Sequence, residues 1–466
     1  MLRMGLKVGH RDDSHGASQR LSAKSVVLAL LLIFLSVAWY EHPAKSGRIH
    51  TPANGTPAAG VQGLSGAEVP GAPLVSNETT ADTIAALLQE PSGGGSPRLQ
   101  AQRVLPPLRT SGGQILDRNG HPVRLNSINI SSMGPGVGLP GPRGQAATGC
   151  WGWKAPDEQT FRNVQAWGFN TVRLSVSWAN LEPQAPTRGP GGAVQHHYNA
   201  EYLSALDAAV KGFTGRGVAV ILVIMQSQWS PAFHQNHTAF GVSCQGVGMP
   251  TWLYPHASSG QFVTARRSFF ANAGGVQHGY VAAWQLLARR YASNPMVVGA
   301  DMFNEPYTLG GFPVADLHLN QLYVRLGGAI RSADRQLLLI FEDSNFNGKE
   351  PLALSAPPPF PNVVYSFHLY QKAWRPGGLQ TVQTYVSRAL RWNVPAWIGE
   401  FDAFAYTTSR PSRPANPRWR ADLQRMMVDC RAWNVGWAIW TYAKGFMAPD
   451  GSEPKAGLLP ALRTGF

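Results

Sequence analysis

From residue 111 to its end the chain alternates between two hydrophobic rhythms. Short apolar runs of strand length are separated by stretches whose apolar residues recur at helical spacing. The runs are 126–130, 171–175, 218–225, 297–303, 337–341, 363–369, 396–398 and 436–440. The helical stretches are 157–167, 202–214, 276–292, 317–333, 379–392 and 419–433. Ahead of them, Gln114-Ile115-Leu116-Asp117 and Val123-Arg124-Leu125 flank Asn119-Gly120, a hairpin turn signal. Eight strands alternating with helices predict an α/β fold, a (β/α)8 TIM barrel with an N-terminal β-hairpin and long loops after strands one and three. An open doubly wound sheet is disfavoured, because no glycine-rich phosphate loop follows the first strand.

Before residue 111 the pattern changes. Residues 1–24 are a basic flank, and 25–40 are an apolar run shorter than the ~20 residues of an upright membrane span. A secretory signal, with Ser36-Val37-Ala38 as a cleavage site, competes with a single-span anchor held at the interface by Trp39 and Tyr40. Both readings place the rest of the chain outside the cytoplasm, in contact with the membrane only if the segment is uncleaved. Residues 41–108, rich in Pro, Gly and Ala, read as a tether with one short helix at 80–90. The globular domain is expected over 109–466.

Composition narrows the function classes. The net charge of +14 comes from 40 basic against 26 acidic residues, scattered without the clustered, aromatic-interleaved stripe of a nucleic-acid surface. Nucleic acid is therefore not an expected partner, and a monomer is expected. The three cysteines have no metal-ligand spacing. Cys150 and Cys244 fall in long loops and form a disulfide outside the cytosol if those loops share a face, whereas Cys430 reads as a small buried hydrophobe. His234 and His237 with Cys244 suggest zinc only weakly, because they lie in a loop without helical register; no metal or cofactor is expected.

Two apolar runs end on a glutamate: Met302-Phe303-Asn304-Glu305-Pro306 and Trp397-Ile398-Gly399-Glu400-Phe401. Carboxylates at the rim of a barrel lie where such folds build active sites, and a facing pair is what glycoside hydrolysis needs. Other strand ends carry polar or aromatic groups: Arg173, His368, Tyr370 and Trp440. Arg173 beside the nucleophile would lower its pKa, Tyr370 would orient it, and His368 would tune the acid. Asn304 suits a sugar 2-hydroxyl and Trp440 the floor under the ring. Among fifteen tryptophans, Trp178, Trp229, Trp252 and Trp374 are candidate sugar-stacking platforms, with core packing as the alternative for each.

In this order and spacing, Val-Arg-Leu around Arg173, Asn304-Glu305-Pro306, His368-Leu369-Tyr370, Gly399-Glu400-Phe401 and Trp440 resemble glycoside hydrolase family 5, the former cellulase family A. The opening stretch 115–125 is also similar to that family's first hairpin, and the resemblance covers about 111–466. It implies a retaining double displacement with Glu305 as acid/base and Glu400 as nucleophile, the carboxylates roughly 5–5.5 Å apart. One departure stands out. The family usually carries a histidine just after the third strand, where this chain has Gln226, which can hydrogen-bond a sugar hydroxyl but cannot carry a proton.

The expected activity is that of an extracytoplasmic retaining β-glycoside hydrolase of the endo-β-glucanase type, with a β-linked oligo- or polysaccharide as substrate. A non-catalytic carbohydrate-binding protein on the same barrel is the alternative, and a tethered cell-surface scaffold a third. β-Mannan, β-1,3-glucan, aryl or disaccharide glycosides and glycolipid headgroups remain open as substrates, as does transglycosylation, because specificity resides in the loops.

Overall fold

The computed structural model describes residues 103–134 and, from 153 onward, all but 227–228, 234–247, 256–258, 307, 309–313, 344–352, 371–377, 402–418, 443–445 and 448–452. Two short strands, β1 (Arg109–Ser111) and β2 (Gln114–Leu116), pair antiparallel. The barrel follows with β3 (Asn126–Ile130) and β4 (Thr171–Val176). A small exposed hairpin, β5 (Thr187–Arg188) with β6 (Val194–Gln195), is inserted before β7 (Ala219–Ile224). β8 (Val297–Asp301), β9 (Leu338–Glu342), β10 (Val363–Leu369), β11 (Ala396–Phe401) and β12 (Gly436–Ile439) complete the set. β3, β4 and β7–β12 form one closed barrel of eight parallel strands, with β12 pairing back to β3.

The expected barrel is therefore the fold. Period-two alternation explains its inside and outside. In β4, Val172, Leu174 and Val176 join the large cluster shared with the helices, while Thr171, Arg173 and Ser175 form the alternate, buried polar set. In β7 the same alternation splits Val220, Leu222 and Ile224 from Ile221. Ile221 packs with Val298, Leu338, Ile340, Val364, Trp397 and Ala438 as a separate inner core. Val104, Leu108, Ile115, Val123 and Leu125 join that inner core and so plug one end of the barrel. Two of them precede residue 109, so the packed domain begins upstream of the boundary that composition suggested.

The hairpin itself is shifted. The two-stranded sheet turns at Gly112-Gly113, with Gly112 at φ +56°, rather than at Asn119-Gly120. The expected pair is reduced to a bridge between Leu116 and Pro122, since proline brings no N–H to a ladder. Asp117 Oδ1 accepts from the Asn119 and His121 amides and rounds off that second turn. Among the described residues three further α-helices escaped the sequence pattern: the single turn Trp178–Leu181, Phe262–Phe270 inside the long loop after the third barrel strand, and the short Leu458–Arg463. Cys430 is free and buried, as expected. Cys150, Cys244, His234, His237 and residues 1–102 lie outside the described residues. Among the described residues no helix is long and apolar enough to cross a membrane.

Candidate active site

Arg173 is the centre of the site. It projects from the middle of β4 with no exposed surface, so every N–H must find a partner. Nε donates to Asp301 Oδ2 (2.8 Å), and Nη1 to Glu400 Oε1 (2.6 Å) and Asn129 Oδ1 (3.2 Å). Nη2 donates to Asn304 Oδ1 (2.9 Å) and lies 3.5 Å from Glu342 Oε1. Burial alone would lower its pKa, but Asp301, Glu400 and Glu342 outweigh that and keep the guanidinium charged. One rigid fork thus ties together side chains from β3, β4, β8, β9, β11 and the turn after β8.

Glu400 lies within β11, where the pairing register shifts on both sides, against β10 and against β12. Its Oε1 is held by Arg173, and its Oε2 accepts from the Tyr370 hydroxyl. Donors at both oxygens fix the orientation of the carboxylate. Glu305 is set differently. It has φ +43°, a left-handed conformation that costs an L-residue energy, and its amide donates to Glu342 Oε2 (3.2 Å). Its Oε1 is hydrogen-bonded to His368 Nδ1 at 3.0 Å. Burial raises the Glu305 pKa, against the lowering effect of His368, and so favours its protonated form.

His368 is 1% exposed and stands among three carboxylates. Nδ1 faces Glu305, with Glu400 Oε2 at 3.6 Å, and Nε2 lies 3.1 Å from Glu342 Oε1. The last contact has ion-pair distance rather than well-aligned hydrogen-bond geometry. Burial opposes charge on the imidazole, but Glu342, Glu400 and Glu305 together push its pKa well above the ordinary histidine value. The close fit requires Gly399: a Cβ there would come within 2.6 Å of Ser366 Oγ and 2.9 Å of His368 Nε2. Behind the fork, Asp301 has its pKa pushed up to about 6, because burial and Glu342 outweigh Arg173. Facing atoms of Glu305, His368 and Glu400 all lie within 4.8 Å of one another. Two carboxyl groups at this spacing, one protonated and one charged, can protonate a leaving oxygen while attacking the carbon it leaves.

The structure brings Glu305, Glu400, Arg173, Asn304, His368 and Tyr370 together as the sequence suggested. Trp440 follows β12 directly and is half-buried, its amide donating to Phe401 O (2.7 Å). Two expectations change. Gln226, expected to meet a sugar, spends its amide on the protein: Nε2 donates to Asn304 O (3.0 Å) and Oε1 accepts from the Trp229 amide (3.3 Å). Asn304 Nδ2 returns a bond to Gln226 O (3.3 Å), so the pair braces the turn that carries Glu305. Trp178 and Trp229 are not sugar platforms, since both are fully buried. Trp178 Nε1 donates to Glu182 Oε2 (2.9 Å), its ring edge-on to Trp252 and Tyr280. Trp229 Nε1 donates to Tyr254 (2.7 Å), and Trp252 Nε1 to the Glu182 carbonyl (2.8 Å). These rings fill the layer behind the rim. Trp374 lies outside the described residues.

Sequence reasoning missed Asn129, Asp301 and Glu342. Asn129 Nδ2 donates to Gly399 O and Ile439 O (both 3.2 Å), joining β3 to the strand that bears Glu400. Glu342 closes Leu-Leu-Ile-Phe-Glu, an apolar strand that runs into a glutamate as those before Glu305 and Glu400 do, one residue beyond the run 337–341.

A parallel eight-stranded barrel with two carboxyl groups so arranged at the carboxyl ends of its strands defines a glycoside hydrolase. Known proteins agree. Residues 116–444 match the family described as Cellulase (glycosyl hydrolase family 5), and the chain belongs to that family. Among similar curated proteins, Endoglycoceramidase I of Rhodococcus hoagii (strain 103S) is 26% identical over 286 residues, covering 56% of this chain and 52% of that protein. An Endoglucanase of Paenibacillus polymyxa is 23% identical over 285 residues, covering 56% of this chain and 59% of its own. The chain thus spans just over half the length of these relatives. Among solved structures, an endogalactoceramidase superposes with a TM-score of 0.60 at 25% identity, over 78% of this chain and 85% of that one. Endo-glycoceramidase II from Rhodococcus sp., as its lactosyl-enzyme intermediate, shares the fold with a TM-score of 0.56 at 22% identity, over 76% and 80%.

Proposed function

We propose that the protein is an extracytoplasmic retaining endo-β-glycosidase that releases a sugar headgroup from a β-linked glycolipid. The observation that carries the retaining mechanism is the spacing of Glu305 and Glu400, within 4.8 Å at their facing atoms. A carboxyl oxygen of Glu400 attacks the anomeric carbon as the bond to the leaving oxygen breaks, and Glu305 gives that oxygen its proton. Water then attacks the glycosyl-enzyme and returns a proton to Glu305, freeing Glu400. Asn304 keeps one amide N–H for the sugar 2-hydroxyl, and Trp440 serves as the floor beneath the ring.

The glycolipid substrate rests on the relatives whose names end in ceramidase. The Paenibacillus polymyxa relative, an endoglucanase, favours a β-glucan as the second reading. Residues 25–40 would lead the chain out of the cytoplasm and, if retained, hold it at a membrane surface where lipid substrates lie. The test is product release by the full chain in detergent from glycosylceramides, β-glucans, β-mannan and aryl β-glycosides, beside Glu400→Gln. Intact oligosaccharide freed from lipid, and lost in the variant, is expected. Release from glucan alone would move the substrate to the second reading, and silence on every substrate would end the hydrolase reading.

A further inference from the structure

Glu342, like Asp301, has no part in the double displacement, yet it touches the acid/base residue by two routes. Its Oε2 accepts from the Glu305 amide at 3.2 Å, on a residue whose φ of +43° needs a partner to hold it. Its Oε1 lies 3.1 Å from His368 Nε2, while the opposite ring nitrogen is bonded to the Glu305 carboxyl at 3.0 Å. Glu342 is itself 1% exposed and clamped by Tyr323, whose hydroxyl accepts from the Glu342 amide (3.0 Å) and donates to its carbonyl (2.6 Å). A buried carboxylate so fixed is costly to keep unless it is matched by charge.

We propose that Glu342 is a positioning residue for proton transfer: it pins the left-handed backbone of Glu305 and holds His368 as the doubly protonated ring that orients the Glu305 carboxyl. This rests on the hydrolase reading above. His368 Nδ1–H then occupies Oε1 of Glu305, leaving Oε2 to carry the catalytic proton toward the leaving oxygen. The charged groups facing the imidazole are Glu305 after β8, Glu342 on β9 and Glu400 on β11, with Tyr370 just after its own strand, Arg173 of β4 beside Glu342, and Asp301 of β8 behind them, also coupled to the ring by charge. In Glu342→Gln the amide can still accept from Glu305, but its NH2 end would face Nε2 and leave the ring neutral. Glu305 then loses a nearby cation, a larger effect on it than the loss of the Glu342 charge, so its pKa rises.

The experiment measures kcat/KM of the full-length wild type and Glu342→Gln on phenyl and 2,4-dinitrophenyl β-cellobiosides and β-lactosides, across pH. A phenyl leaving group needs the proton and a dinitrophenyl group does not. The variant is expected to lose about 100-fold on phenyl glycosides, at least about tenfold more than on dinitrophenyl glycosides, with the basic limb of the profile moved to higher pH. Equal losses on both leaving groups, or an unmoved limb, would overturn the proposal. Imidazole 15N NMR, with His368 assigned by the signal lost in His368→Asn, is independent of turnover. Two protonated ring nitrogens at pH 7 in the wild type and one in Glu342→Gln are expected; a neutral ring in the wild type would overturn it. An inert wild type on all four glycosides would instead count against the hydrolase reading, and the NMR would still decide the role of Glu342.

Discussion

Arg173 and Glu400 show how much a single side chain carries here. The guanidinium satisfies Asp301, Asn129, Asn304 and Glu400 at once, so no residue of different shape can replace it. Arg173→Ala should strand Asp301 beside the other acids and cost about 3–5 kcal/mol of stability, measured by chemical denaturation. Arg173→Lys keeps the charge but not the planar fork, and should lose activity out of proportion to stability. On the proposed mechanism, Glu400→Gln removes the nucleophile and should lower kcat by about a thousandfold or more in a folded protein, a loss that Glu305 cannot make good. The bases of these predictions differ in how readable they were. Glu305, Glu400 and Arg173 stood at strand ends in recognisable company. That Gln226 braces the Glu305 turn was not legible, because an amide that binds sugar and one that binds backbone look alike in a sequence.

At the scale of elements, the strand ends do the positioning. The register shifts of β11 against β10 and β12 turn Glu400 toward the site. Gly399, one residue earlier, leaves the space that His368 fills. Gly399→Ala should overpack this contact, costing about 1–3 kcal/mol of stability, and should reduce activity further by moving His368 away from Glu305. A thermal melt and a turnover assay on the same variant would check both, and an unchanged Tm with full activity would contradict the packing argument. Barrel strands and most helices were legible because burial on both faces leaves apolar runs and one-sided packing leaves helical periodicity. The Phe262–Phe270 helix was not, since nine residues inside a long loop offer too short a pattern.

For the whole molecule, the site makes folding proton-dependent. His368, Glu305 and Asp301 all have raised folded pKa values, Asp301 at about 6. A raised group contributes stability that is full below its unfolded pKa and lost as pH climbs through the folded one. Asp157, which accepts from the Thr160 amide and hydroxyl, and Asp207, paired with Arg290, are lowered and act in the opposite sense, losing their contribution only as strongly acid pH is reached. Calorimetric Tm should therefore be highest on the acid side of neutrality and fall from pH 5 to pH 8; a rising Tm over that range would contradict the buried-network account. By itself the sequence determined that this is a barrel and which two glutamates stand at its rim, because periodicity and strand ends are local properties of a chain. Only the tertiary structure decided that Glu342, Asp301 and Asn129 belong to the same network, and that Trp178 and Trp229 are core. Those assignments depend on which side chains from distant strands meet inside a closed barrel, and strand closure is a property no single segment carries.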